Sequence, residues 1–271
     1  MPELPEVETV VRSLAKRVTG EVVESAWFSG KAPTFKSEPA EIALVLEGSK
    51  VEHVHRQGKH IVFDLQKDGR LQAQWIVHLG MTGRMLVTSP DCELEKHTHI
   101  IAKFSSGREL RFIDPRRFGR TWVVSGKSVF DAGGKEPLDV GLELFAGLFH
   151  ARKTAIKAAL LNQRLLRGIG NIYADEALFR AGVRPRRRAS SLTRPELKRL
   201  YESVQQVLNE AIAAGGSSIS DYVDADGERG FFQVQHRVYG REGKPCLTCH
   251  SPIKRIIVAG RGTHYCPECQ K

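Results

Sequence analysis

Residues 50–78 read KVEHVHRQGKHIVFDLQKDGRLQAQWIVH. The runs Lys50–His55, His60–Leu65 and Leu71–His78 are alternating or apolar, and Lys67-Asp68-Gly69 is a turn-forming piece between the last two. Runs of this length bounded by turn residues read as strands. Others lie at Glu21–Phe28, His99–Phe104, Glu109–Ile113 and Thr121–Val124, with Ser105-Ser106-Gly107 as a further separator. Regularly spaced short strands predict an antiparallel sandwich or barrel over residues 20–125, with one short helix at 39–47 inserted among them.

Outward from this block the period changes. Toward the N-terminus, Val7, Val10, Val11, Leu14 and Val18 recur at helical spacing, and Pro5 is tolerated in a first helical turn. Toward the C-terminus, residues 126–141 are rich in Gly, Asp and Lys and read as a linker. Residues 143–214 read as helical: one helix over 144–164, a break at Arg167-Gly168-Ile169-Gly170, a second over Asn171–Ala181, and a third over Thr193–Ala214. Thr193 and Glu196 fit a capping box at the start of the third, and Gly215-Gly216 stops it. Residues 217–235 are polar and glycine-containing, the composition of a mobile loop, and a cysteine module begins at 236. Strands followed by helices place the chain in the α+β class.

The 271 residues hold 41 Lys and Arg against 31 Asp and Glu, a formal charge of +10 that suits a polyanionic partner such as nucleic acid. No apolar run approaches the about 18 residues of a membrane helix, and the start lacks the basic-then-apolar signature of a signal peptide. The expectation is a cytoplasmic protein with no membrane association.

Four of the five cysteines form two Cys-x-x-Cys pairs, Cys246/Cys249 and Cys266/Cys269, while Cys92 stands alone as a free thiol. Each pair chelates from one tight turn, and two such turns complete a tetrahedral thiolate shell, so the spacing predicts one structural Zn²⁺ with no open position. Between the pairs, Gly260 and Gly262 flank Arg261, which suggests a hairpin turn presenting a guanidinium to a phosphate or simply to solvent.

The N-terminus carries a second chemical feature. Removal of the initiator methionine ahead of a small residue leaves Pro2 with a secondary amine, whereas a retained Met1 masks it. An α-amine titrates at about 7.7–8.0 and a lysine at about 10.4, so the terminal amine is the better nucleophile at neutral pH. A secondary amine that attacks an aldehyde-level carbon forms an iminium ion, an electron sink. Glu3 and Glu6 stand close enough in sequence to move protons beside it, although acidic residues in a first helical turn are also favoured by the dipole alone.

Met1-Pro2-Glu3-Leu4-Pro5-Glu6-Val7-Glu8-Thr9 resembles the start of the bacterial formamidopyrimidine-DNA glycosylases. Further matches, in the family's order, are His78-Leu79-Gly80-Met81-Thr82-Gly83, Asp114-Pro115-Arg116-Arg117-Phe118-Gly119, Gly168–Glu176 and Arg261-Gly262-Thr263-His264-Tyr265-Cys266. The resemblance implies an N-terminal β-sandwich with an N-terminal helix, a helix-two-turn-helix bundle, and a C-terminal four-cysteine zinc finger, with DNA in the cleft between the domains. It implies domains at 1–125 (catalytic), 126–143 (linker), 144–235 (helix-two-turn-helix with base-binding loop) and 236–271 (zinc finger). The implied activity is removal of oxidised purines, chiefly 8-oxoguanine and formamidopyrimidines, followed by β,δ-elimination. The implied partner is double-stranded DNA with oxidised bases or abasic sites, bound by a monomer.

Roles follow residue by residue from the resemblance. Pro2 is expected as nucleophile at the sugar C1′, Glu3 as the acid that opens the sugar ring, Glu6 as a supporting carboxylate, and Lys59 as a lysine contacting the phosphate beside the lesion. His78 matches another phosphate contact. Met81, Arg116 and Phe118 match the residues that fill the hole left by a flipped nucleotide, where an apolar wedge and a donor are both required. Asn171, Arg261, Tyr173 and Lys153 match contacts to the DNA backbone; for Asn171 a helix cap, for Tyr173 core packing and for Lys153 a solvated helix lysine are the structural alternatives. Two departures stand out. Val140-Gly141-Leu142-Glu143-Leu144 lacks both prolines of the family's Leu-Gly-Pro-Glu/Asp-Pro junction, which puts the hinge geometry in question. Ser220 stands where some members carry Lys or Arg in the base-binding loop. Two other readings remain: an endonuclease VIII-like enzyme for oxidised pyrimidines, disfavoured by Leu4, and a non-catalytic DNA binder on the same scaffold, which needs neither Pro2 nor Glu3.

Overall fold

The computed structural model describes residues 1–30, 34–126, 128–218 and 222–271. Ser220 therefore lies outside the described residues. The chain forms two compact units, one of residues 1–132 with 215–231 and the other of residues 133–214 with 232–271.

In the first unit, helix α1 (Leu4–Val18) buries the expected valine and leucine stripe. Its start is a reciprocal cap: Glu3 is the N-cap residue, and its backbone N–H donates to Glu6 Oε2 at 2.8 Å. Eight strands follow: β1 (Val23–Phe28), β2 (Lys50–Gln57), β3 (His60–Lys67), β4 (Arg70–His78), β5 (Arg84–Thr88), β6 (Thr98–Phe104), β7 (Glu109–Ile113) and β8 (Arg120–Ser125). Helix α2 (Pro39–Leu46) sits between β1 and β2. The strands make two antiparallel four-stranded sheets, β1-β6-β7-β5 and β2-β3-β4-β8. Inward residues of both sheets share one core with α1 and α2, which is a sandwich. Strand β5 has no counterpart among the runs read from the sequence.

Part of the other face of the second sheet is covered too. Phe130 donates its N–H to Gln74 Oε1 (2.7 Å) and accepts at its carbonyl from Gln57 Nε2 (3.0 Å). Its ring meets those of His60 and Trp122 at 5.1 and 5.5 Å. The start of the expected linker is thus a strap laid across the sheet.

The second unit corrects the expected helix over 144–164. Two shorter helices stand there, α3 (Leu142–Phe149) and α4 (Ile156–Leu160). The chain between them is drawn out to pair with residues 187–190: Ser190 N–H donates to the Arg152 carbonyl, Ala189 N–H to that of Thr154, and Ile156 N–H to that of Arg187. Phe145, Phe149, Ile156 and Leu160 are all fully buried, so the apolar period runs through the interruption. Gly141 caps α3 and Leu142 is its first residue. Proline is favoured at a first helical position because that N–H has no helical partner, and leucine there loses nothing essential. Helices α5 (Asn171–Arg180) and α6 (Arg194–Ala213) complete the bundle, with the Thr193/Glu196 capping box formed. Strands β9 (Lys254–Val258) and β10 (Arg261–Tyr265) form the C-terminal hairpin.

Residues 217–235 are also not the free loop that their composition implies. Their described part up to Phe231 groups with the sandwich unit. Ser13 Oγ donates to Asp226 Oδ2 (2.7 Å), Arg17 pairs with Asp226, and Val87 N–H donates to the Ala225 carbonyl (3.1 Å).

Candidate active site and metal centre

The N-terminus is immobilised by its own carboxylates. Pro2, Glu3 and Glu6 are buried. Glu6 Oε2 takes the Glu3 N–H, and Oε1 accepts the Ser217 N–H at 2.8 Å. Tyr222 Oη donates to the Glu6 carbonyl at 3.1 Å. Burial, then the charge of Glu6, drives the Tyr222 phenol far above its ordinary pKa, so it is a fixed donor here. Gly216 has φ +82°, and a Cβ there would lie 3.0 Å from both Glu6 Cγ and Oε1. The residue beside Pro2 is therefore tied, through the Glu6 carboxylate, to the backbone of Ser217.

Lys59 follows Gly58 in the β2–β3 hairpin turn and is 8% exposed. Arg56 fixes that turn, donating to Glu8 Oε2 (2.9 Å) and the Gly58 carbonyl (3.0 Å). His78 ends β4; its Nδ1 accepts the Gly80 N–H at 3.1 Å, which leaves Nε2 as the proton-bearing nitrogen. Burial first, then the positive fields of His60, Lys59, Lys36 and Arg120, lower its pKa to about 3. His78 is thus a neutral donor at physiological pH.

The motifs at 78–83 and 114–119 are one construction. Asp114 is fully buried; its Oδ1 accepts Thr82 Oγ1 (2.5 Å) and its Oδ2 accepts the Gly119 N–H (2.7 Å). Thr82 Oγ1 in turn accepts the Arg116 N–H (3.3 Å). The two turns touch so closely that a Cβ on Gly80 would stand 2.4 Å from the Gly119 nitrogen. From this welded base Met81 (39% exposed) and Phe118 (47%) project into solvent, and the Arg116 guanidinium lies 4.8 Å from the Phe118 ring centre. Neither apolar chain is a core residue.

In the second unit, the four sulfurs of Cys246, Cys249, Cys266 and Cys269 lie within 4.8 Å of one another. The pairs Cys249–Cys266 and Cys246–Cys269 are separated by 3.4 and 3.9 Å. Tetrahedral thiolate coordination at about 2.3 Å spaces sulfurs by about 3.8 Å, so these residues fit a closed metal site. The hairpin turn is Ala259-Gly260, both at positive φ (50° and 72°), and not a turn centred on Arg261. Arg261 is the first residue of β10 and is exposed.

Gly262 is a junction instead. Its carbonyl accepts from Asn171 Nδ2 (2.9 Å) and from Lys157 Nζ (3.2 Å). Lys157 Nζ also meets Asp175 Oδ1 at 2.6 Å and Thr263 Oγ1 at 2.8 Å, with Lys157 and Asp175 both 0% exposed. Asp175 Oδ2 accepts the His264 N–H. Buried Glu176 accepts the backbone N–H groups of Arg237, Val238 and Tyr239 at 2.9–3.0 Å. Sequence reasoning gave no role to Asp114, Lys157 or Tyr222; the signals for Asp114 and Lys157 are an Asp opening a proline-containing turn and a charge at an apolar helical position. Gly170, not Asn171, is the N-cap of α5. Tyr173 is 1% exposed and packs on Phe232 at 5.7 Å, whereas Lys153 is exposed. Among the described residues no helix is long and apolar enough to cross a membrane.

A sandwich with a carboxylate-capped N-terminus, a helical unit and a four-cysteine hairpin define a class, the DNA glycosylases that carry a metal-binding finger. Residues 1–121 match the model of the formamidopyrimidine-DNA glycosylase N-terminal domain, 134–223 that family's H2TH domain, and 243–271 a zinc finger found in FPG and IleRS. A formamidopyrimidine-DNA glycosylase of Solibacter usitatus is 47% identical over 275 residues, and one of Listeria monocytogenes 40% over 278, each with all of both chains covered. A Lactococcus lactis Fpg in complex with abasic-site DNA superposes with a TM-score of 0.91 at 34% identity over 99% of each chain. The MutM (FPG) protein of Thermus thermophilus gives 0.87 at 41% over 99% of this chain and 98% of that one. The chain belongs to the formamidopyrimidine-DNA glycosylase family.

Proposed function

We propose that this protein is a bifunctional DNA glycosylase/AP lyase that removes oxidised purines, 8-oxoguanine and formamidopyrimidines, from double-stranded DNA. The Pro2 nitrogen, freed of Met1, attacks the sugar C1′ and displaces the damaged base. Glu3 protonates the ring oxygen as the sugar opens to an iminium ion on Pro2. That cation accepts the electron pair left when a sugar proton is lost, and the 3′ and then the 5′ phosphate depart as leaving groups. Glu6 keeps Glu3 and the terminus in register.

The observation that carries this reading is the terminus itself: two buried carboxylates, one bonded to the backbone of the residue after Pro2, flank the residue whose nitrogen becomes a secondary amine once Met1 is removed. A capping box alone requires neither carboxylate to be buried beside Pro2, and a protein that only binds DNA needs neither Pro2 nor Glu3. Lys59 and neutral His78 donate to phosphates near the lesion. Met81, Phe118 and Arg116 enter the stack and face the unpaired partner base, which accounts for two exposed apolar chains on a welded base. Arg261, Asn171 and Lys153 contact the backbone, and Tyr173 supports that contact from the core. One Zn²⁺ held by the four cysteines orders the hairpin and takes no part in the chemistry. The protein acts as a monomer in the bacterial cytoplasm, where its substrate lies.

The test is borohydride trapping on 8-oxoguanine duplex, with a thymine glycol duplex alongside, followed by peptide mapping of the adduct. The expected adduct sits on Pro2, forms with the 8-oxoguanine duplex, and vanishes when extra residues block the terminus. Glu3→Gln is expected to slow base release by about 100-fold or more. An adduct on a lysine peptide, or trapping by the blocked chain, overturns the proposal; preference for thymine glycol selects the pyrimidine-directed reading.

A further inference from the structure

A cluster on the sandwich unit lies outside the repair chemistry. His53 and His55, two residues apart on β2, project from the same side of the strand, and β3 presents Asp64, the register partner of His53, beside them. His53 Nδ1 stands 3.7 Å and His55 Nε2 3.4 Å from a single oxygen, Asp64 Oδ2. The three atoms lie within 4.8 Å of one another, and the imidazole rings stack with centres 5.3 Å apart. Asp64 is itself oriented: its other oxygen accepts from Gln74 Nε2 at 2.7 Å, and Gln74 is 5% exposed.

The spacing discriminates between two uses. A charge-assisted N–H···O hydrogen bond closes to about 2.7–2.9 Å, and both contacts are longer. Donors bound at about 2.0–2.1 Å around a tetrahedral ion stand about 3.3–3.4 Å from one another. The two nitrogen–oxygen separations, 3.4 and 3.7 Å, approach that spacing, and two strands of a hydrogen-bonded ladder hold the three residues together. The Gln74 amide supplies the outer bond that typically orients a ligating carboxylate. His53 retains 64% side-chain exposure, which leaves room for water to complete a shell. Two imidazoles and one carboxylate favour zinc, nickel or copper over magnesium or calcium.

We propose that His53, His55 and Asp64 form a second metal site, separate from the four cysteines, that takes a borderline divalent cation such as Zn²⁺, Ni²⁺ or Cu²⁺ with water in the remaining positions. An occupied site cross-links β2 to β3 and raises the unfolding temperature by mass action.

The experiment uses the untagged full-length protein with its finger already loaded. Calorimetric titration with NiCl₂ is expected to show one further equivalent per chain. Cobalt(II) at that equivalent gives weak visible bands without the thiolate charge-transfer absorption of a cysteine site. In His55→Gln and Asp64→Asn the affinity falls by about tenfold or more, while the metal-free unfolding midpoint shifts little, because the asparagine keeps the oxygen that accepts from Gln74 and His55 reaches solvent. Absence of the extra equivalent, thiolate absorption accompanying it, or its survival in the His53→Gln/His55→Gln double variant overturns the proposal; the last would move binding to another histidine pair.

Discussion

At the residue scale, two positions carry consequences out of proportion to their size. His78 is depressed to about 3 by burial and by neighbouring positive groups. Its folded pKa lies below the unfolded value near 6.5, so the unfolded chain binds the extra proton across that interval. Stability is then fully present above about pH 6.5 and is lost as pH falls toward 3. Urea unfolding of the full chain through this range is expected to show a shallower acid loss for His78→Asn than for the parent. An imidazole resonance of His78 titrating near 6.5 by NMR would contradict the assignment. Gly216 is the second case. Alanine there meets Glu6 while adopting φ +82°, so Gly216→Ala is expected to cost about 2 kcal/mol or more and to depress base release. Gly227, at φ +84° with nothing within 4 Å of a Cβ, is the control: its alanine variant bears backbone strain alone, about 1 kcal/mol, with activity intact. Equal losses at both sites would remove the Glu6 contact from the explanation.

At the scale of elements, the C-terminal hairpin is joined to α4 and α5 by a buried ion pair and not by apolar packing alone. Lys157 and Asp175 have no exposure, and each also bonds the hairpin strand β10. Removal of one partner strands the other as a buried charge. Lys157→Met and Asp175→Leu are each expected to destabilise by about 3–5 kcal/mol, and the double change Lys157→Met/Asp175→Leu by less than the sum. Additive losses in denaturant melts would show that the two charges do not act as a pair. The partner in this joint was illegible in the sequence: a lysine at an apolar helical position hints at burial, but Asp175 is brought to it from another element. The capped helices, by contrast, were legible: the Thr193/Glu196 box and the valine stripe of α1 are local signals and local structure honours them. The stretch 144–164 was misread as one helix because its apolar period is real while the pairing of 152–155 with 187–190 that interrupts it is non-local.

At the scale of the molecule, the formal charge of +10 suits a polyanionic partner, and the number of phosphate contacts sets the response to salt. Arg261→Ala is expected to weaken binding to any DNA duplex to a similar degree and to reduce the slope of log K against log salt by about 1. An unchanged slope would remove Arg261 from the phosphate contacts. The cysteine spacing and the terminal motif were readable at this scale since each is a short local pattern. The grouping of 215–231 with the sandwich was not, because Asp226, Ala225 and Tyr222 are anchored by residues about 140–215 positions away in sequence. The buried lysine has a practical corollary. An amine-acylating reagent modifies exposed Lys153 at once, but Lys157, four residues on and sealed from water, only when the helical unit opens. The ratio of the two labels on neighbouring peptides therefore clocks that opening, with a built-in reference, in any preparation that a mass spectrometer can read.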